Sequence, residues 1–133
     1  MTTLHLGHVL TTADPEMLEA YRNIDWAKGY HHGETVSVRQ VRLESILRDE
    51  GLPADFDLLV VDVEGNEDGV FSSFELASWR PNMIIVELPD RHPSFERFAA
   101  VTARASDLRA RLVAHGYAPI YRDIINTIFW RDY

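Results

Sequence analysis

The sequence predicts an α/β fold, a mixed sheet with flanking helices, and it does so on two apolar runs and one helical stripe. Leu58-Leu59-Val60-Val61 and Met83-Ile84-Ile85-Val86 are continuous apolar runs, too short for ordinary helices. Such runs mark strands buried on both faces, as in a parallel sheet covered by helices. Farther along, Phe95, Phe98, Thr102, Ala105, Leu108 and Leu112 share one face of a helix. With 133 residues, 46% hydrophobic and 26% charged, the chain has the length and composition of one domain around one core.

The elements follow in order. Leu4, Leu6, His8 and Leu10 alternate with His5, Gly7 and Val9, which predicts a first strand over residues 4–10. Asp14-Pro15-Glu16 supplies an N-cap, a proline at the first helical position and an acid in the first turn. Met17, Leu18, Tyr21 and Ile24 give that helix its apolar face. Residues 26–34 form a loop holding the one adjacent histidine pair, His31-His32, expected as a solvated polar segment. Residues 35–41 alternate as a short strand, and Leu43, Ile46 and Leu47 mark a short helix ending at Gly51.

After the first apolar run, Glu67 and Asp68 open a short helix with negative charge at its N-terminus, where the helix dipole favours it. Trp79-Arg80-Pro81 is a turn before the second run, and Trp26, Tyr30 and Trp79 are expected to cover the edge of the core. Pro93-Ser94 opens the longest helix, Gly116 ends it, and residues 117–121 and 127–130 read as two closing strands.

Composition excludes several functions. A net charge of −8 disfavours nucleic acid and anionic membranes as partners, since phosphate binding needs a basic surface. The chain has no cysteine, so disulfides, thiolate nucleophiles and cysteine-based zinc sites are ruled out. No apolar run reaches the ~20 residues that span a bilayer, and no secretory signal opens the chain, so a cytoplasmic location is expected. Glycine-rich dinucleotide and phosphate loops are absent, as is the G-x-S-x-G elbow of hydrolases.

The chemistry gathers where the apolar runs turn acidic. In open α/β sheets ligands sit beyond the carboxyl ends of the strands, and the two runs end in Asp62-Val63-Glu64 and in Glu87. Parallel neighbours would bring these carboxylates to one sheet edge, where they can orient a hydroxyl, accept its proton or bind a metal. The competing reading is that they cap the turns that follow. His92, just beyond Glu87, is the histidine candidate for proton transfer, while His115 suits the end of a helix. No metal site is assigned.

From Val36 onward the pattern resembles the C-terminal half of the FkbM-type methyltransferases. The resemblance rests on Val36-Ser37-Val38, Leu43-Glu44-Ser45-Ile46-Leu47, the block running from Asp57 to Glu67, Arg80-Pro81 with Ile84-Ile85-Val86-Glu87, Gly116-Tyr117, and Asn126-Thr127-Ile128-Phe129. It covers residues 36–133, leaving residues 1–35 as a connecting region. Val60 stands where many relatives carry lysine, and Glu44 where aspartate is common.

The resemblance implies a partial Rossmann-like methyltransferase fold and S-adenosylmethionine-dependent methyl transfer to a hydroxyl oxygen. On that reading Asp62, Glu64 and Glu87 line the catalytic cleft, with Asp62 positioning cofactor or acceptor and Glu64 or His92 taking the proton. The family's glycine-rich cofactor turn has no counterpart in this sequence. The chain is therefore expected to be a truncated or split member that does not hold the cofactor tightly alone. The acceptor would be a small-molecule or sugar hydroxyl. A homo-oligomer, or a partner chain that completes the sheet, follows from the missing half. Two other classes stay open: a non-catalytic dimerisation or interaction module, and a small metal-dependent enzyme.

Overall fold

The computed structural model describes residues 1–132. A four-stranded mixed sheet carries the fold, in the order β3-β4-β6-β5, with strands β3 (Leu58–Val61), β4 (Met83–Glu87), β5 (Tyr117–Arg122) and β6 (Asn126–Arg131). Strand β3 runs parallel to β4 with Leu58 opposite Met83 and Val61 opposite Val86, while β6 is antiparallel to both β4 and β5. A separate antiparallel ribbon pairs β1 (Thr2–His5) with β2 (Thr35–Val38). The helices are α1 (Pro15–Asn23), α2 (Leu43–Asp49), α3 (Glu67–Phe71) and α4 (Ala99–Ala114).

Two turns of the sheet are set by local side chains. The β5–β6 hairpin turns at Asp123, whose carboxylate accepts the N–H groups of Ile125 and Asn126 at 2.9 and 2.6 Å. Strand β4 ends at the Leu88-Pro89 corner, and the loop beyond it is fixed by Asp90. The Asp90 carboxylate takes two hydrogen bonds from Arg109 of α4, at 2.9 and 3.1 Å, and Arg109 also donates to Thr127 of β6.

Two apolar clusters fill the interior. The larger joins Phe71, Trp79, Ile84, Val86, Leu108, Leu112, Tyr117 and Phe129 between the sheet and α4. The smaller holds Met17, Tyr21, Ile24, Phe95 and Val101, where α1 packs on the start of α4. Asp14 caps α1 by accepting the Met17 N–H at 2.7 Å and pairs with Arg104 of α4 at 2.9 Å. That docking sets α1 beside the turn that follows β3.

Several expectations need correction. Strand β3 is not buried on both faces: Val61 is buried, but Leu58 and Val60 are 48% and 59% exposed. It is an edge strand, paired only with β4, and Leu58 and Val60 lie on the sheet face away from the core, while Leu59 and Val61 face the core. The first strand stops at His5, because the chain turns at Gly7 into a short 3-10 turn over His8–Leu10. The second strand ends at Val38 rather than residue 41. The longest helix begins at Ala99, since Pro93–Phe95 form their own 3-10 turn and Phe98 leaves helical geometry. Trp79 is buried as expected; Trp26, half exposed, covers the smaller cluster by meeting the buried rings of Tyr21 and Phe95 edge-on, and Tyr30 is 39% exposed.

Candidate functional site

The parallel register of β3 and β4 carries their acidic ends to the same edge. Asp62 follows Val61 as Glu87 follows Val86, and Val61 and Val86 are partners in the ladder. Asp62, Glu64 and Glu87 each present a carboxylate oxygen within 4.8 Å of the others. Asp62 is exposed, and Glu64 and Glu87 are partly buried.

The turn between β3 and α3 is tightly specified. Glu64 lies in the left-handed region with φ of 50°, and Gly65 follows with φ of 102°. A side chain at 65 would place its Cβ 2.6 Å from the Cβ of Met17, so only glycine fits both the dihedral and the space. Glu67 is buried and accepts the N–H of Val63 at 3.2 Å and that of Gly65 at 3.1 Å. From the N-terminal segment, the Thr12 hydroxyl donates to the Glu64 carbonyl at 2.6 Å. The Tyr21 hydroxyl donates to the Glu64 carboxylate.

Acids crowding together in partial burial shift one another's protonation. Burial pushes Glu87 up to about 7, and the negative fields of Asp62, Glu64 and Glu67 push the same way. Burial also raises Glu64, with the Tyr21 hydrogen bond partly opposing it. Glu67 is raised by burial as well, against the pull of its backbone hydrogen bonds. The Tyr21 phenol is pushed up by burial first and by Glu64 next. The groups acting on Glu87 are all acids. Such a site attracts a proton, a hydroxyl donor or a cation, and three oxygens at this spacing can ligate a hard divalent ion.

Other candidates lie apart from this trio. His92 accepts the Ser94 N–H on Nδ1 at 3.1 Å, and its ring meets Phe95 edge-on at 5.4 Å and Trp26 at 6.0 Å. It is not part of the carboxylate cluster. His115 Nδ1 lies 2.8 Å from the Arg111 carbonyl at the end of α4, the helix-terminal place its sequence position suggested. His31 is not a solvated loop residue: its ring stacks on Tyr21 at 5.8 Å with the planes 10° apart.

The methyltransferase FkbM domain matches this chain over residues 3–119, which takes in all of the ribbon but Thr2, all four helices and every carboxylate of the site. The chain belongs to the FkbM methyltransferase family. No curated protein and no solved structure matches it.

FkbM methyltransferases generally use S-adenosylmethionine. The one glycine turn following a strand of the four-stranded sheet at this edge is Gly65, and Met17 already fills the space against it. Behind the turn, Met17, Gly65, Glu67, Leu88 and Leu108 enclose a cavity of about 10 Å³, room for a water at most. A broad surface cleft of about 920 Å³, lined by Asn23, Trp26, Ser94 and Arg97 among others, is lined by none of the three carboxylates.

Three participants escape a reading of sequence alone. Tyr21 counts there as one apolar residue on the face of α1, Thr12 carries no signal, and Glu67 looks like an exposed helix-opening acid. The spacing of Gly65 and Glu67 was the available clue for the last, because a glycine turn just before a helix leaves N–H groups that an acid can collect.

Proposed function

We propose that Asp62, Glu64 and Glu87 form the acceptor side of an S-adenosylmethionine-dependent O-methyl-transfer site, in a chain supplying the second part of a Rossmann-like sheet. The observation that carries the reading is the convergence of three carboxylates within 4.8 Å at the paired ends of β3 and β4. The methyl donor's binding turn would come from outside residues 1–132, beyond the open edge of β3.

Acceptance of a methyl group asks two things of this side: an oriented hydroxyl and a place for its proton. Glu87 suits the proton, because a base that titrates at about 7 is ionised in part at neutral pH yet still holds a proton well. Asp62, exposed at the rim, suits the hydroxyl's orientation. Glu64 is fixed by Thr12 and Tyr21 and holds the second acid face of the cluster. A small-molecule or sugar hydroxyl fits such a hydrogen-bonding edge, and a phosphate-rich polymer does not.

Methyl transfer from S-adenosylmethionine to a panel of sugar and small-molecule alcohols is the test, run on the assembly purified from the native cell. Asp62→Asn and Glu87→Gln should each remove most of the transfer. Activity retained in both variants would sink the reading. A second reading, a non-catalytic interaction module, is favoured by the open edge of β3 with Leu58 and Val60 exposed. It predicts a stable partner on that edge and no transfer to any alcohol.

A further inference from the structure

We infer that Tyr21 is a positioning residue for Glu64, and that the N-terminal segment acts as a clamp setting the direction of this carboxylate toward Asp62 and Glu87. The inference rests on the acceptor-side reading for its consequence, but its geometry stands independently. Glu64 has a left-handed backbone, which a non-glycine residue keeps only when its surroundings over-determine it. Residues 12–21 do so at three points. Thr12 holds the Glu64 carbonyl, Met17 closes over Gly65, and Tyr21 reaches the carboxylate itself. The first two contacts fix the backbone of the turn. Tyr21 alone of the three acts on the charged end of the side chain.

The hydroxyl of Tyr21 is itself held in place. Its ring is 3% exposed, stacked on His31 and met edge-on by Phe95 at 6.1 Å and by Trp26 at 6.4 Å. His31 lies flat on Tyr21 in space left by Gly7, where a Cβ would collide with the imidazole ring. A line of contacts thus runs from Gly7 through His31 and Tyr21 to Glu64. A buried tyrosine needs some hydrogen-bond partner for its O–H, and a carbonyl would have served. Here the partner is an acid of the cluster, on a turn 43 residues away.

The decisive variant is Tyr21→Phe, which keeps the packed ring and deletes only the hydroxyl. Side-chain carboxyl carbon resonances are read by NMR on the 133-residue chain at one fixed pH, with Glu64 assigned through Glu64→Gln. The Glu64 signal in Tyr21→Phe should be displaced by more than its line width, and the Glu87 signal with it, while the dispersed amide spectrum is kept. Unmoved carboxyl signals would overturn the inference. Should Tyr21→Phe fail to fold, the reciprocal measurement decides: in Glu64→Gln the ring Cζ resonance of Tyr21 should move, and its constancy would equally overturn the inference.

Transfer kinetics distinguish this inference from the reading beneath it. In the native assembly Tyr21→Phe should lower kcat by about 10- to 100-fold with little change in KM, the loss a misdirected group produces. Displaced carboxyl signals in a protein that methylates no alcohol would sustain the positioning role and remove the acceptor-side reading.

Discussion

Glu87 makes the site's electrostatics measurable without a substrate. Folded, it binds its proton up to about 7, against an ordinary value of 4.5 when unfolded. The folded state therefore holds more protons over that interval, and stability falls as pH rises through it. The contribution is complete below 4.5 and gone above about 7. Glu64 and Glu67, also raised, slope the same way. Urea unfolding across this range should show the decline. Glu87→Gln should flatten it and raise stability above neutral pH by about 1 kcal/mol, a figure discounted for half exposure. An unchanged slope would show that Glu87 titrates as an ordinary surface acid. Asp62→Asn removes one of the fields that raise Glu87, so the decline should become smaller and be complete at lower pH, with the thermal midpoint at neutral pH slightly raised.

At the scale of the element, the turn from β3 to α3 decides whether the acids converge at all. Glu67 gathers the N–H groups of Val63 and Gly65 in a buried position. Glu67→Ala would leave those donors without their acceptor and should cost about 2–3 kcal/mol in chemical denaturation. Gly65→Ala should cost about 2 kcal/mol or more, through its φ of 102° and its collision with Met17. A loss below ~0.5 kcal/mol in either would mean that the turn relaxes freely. Much of this element was legible beforehand. Short apolar runs ending in acids identified β3, β4 and their shared edge, because that pattern is local in sequence. The clamp was not legible, because Thr12 and Tyr21 reach Glu64 across 52 and 43 residues and no local period encodes such contacts. The ends of β1 and α4 were misjudged for a related reason: Gly7 and Phe98 take backbone angles that apolar alternation does not report.

Across the whole molecule, both remaining predictions follow from the unpaired edge of β3. Isolated, the chain should not bind S-adenosylmethionine tightly, because the space against Gly65 is filled by Met17. Calorimetric titration giving a low-micromolar constant, roughly −8 kcal/mol, would show that another loop has taken over the cradle. The same edge governs assembly. The N-terminal strand does not cover β3: β1 is occupied in its ribbon with β2, and α1 is docked on α4. Strand β3 keeps one row of backbone N–H and C=O groups unpaired, with Leu58 and Val60 exposed beside them. Natural edges are usually guarded by lysine, proline or a bulge, and these four residues carry none of the three. A second copy can satisfy that row, although the charge of −8 on each chain opposes the encounter and should make it weaker at low salt. We therefore predict a homo-oligomer that buries Leu58–Val61, read by light scattering at tens of micromolar, with association strengthening as salt is added. Val60→Lys places a charge on the outer face of the edge and should return the chain to a monomer without lowering its thermal midpoint by more than a few degrees. A wild-type chain that stays monomeric at all salt concentrations, with amide exchange slow throughout β3, would show that the edge is protected without a partner.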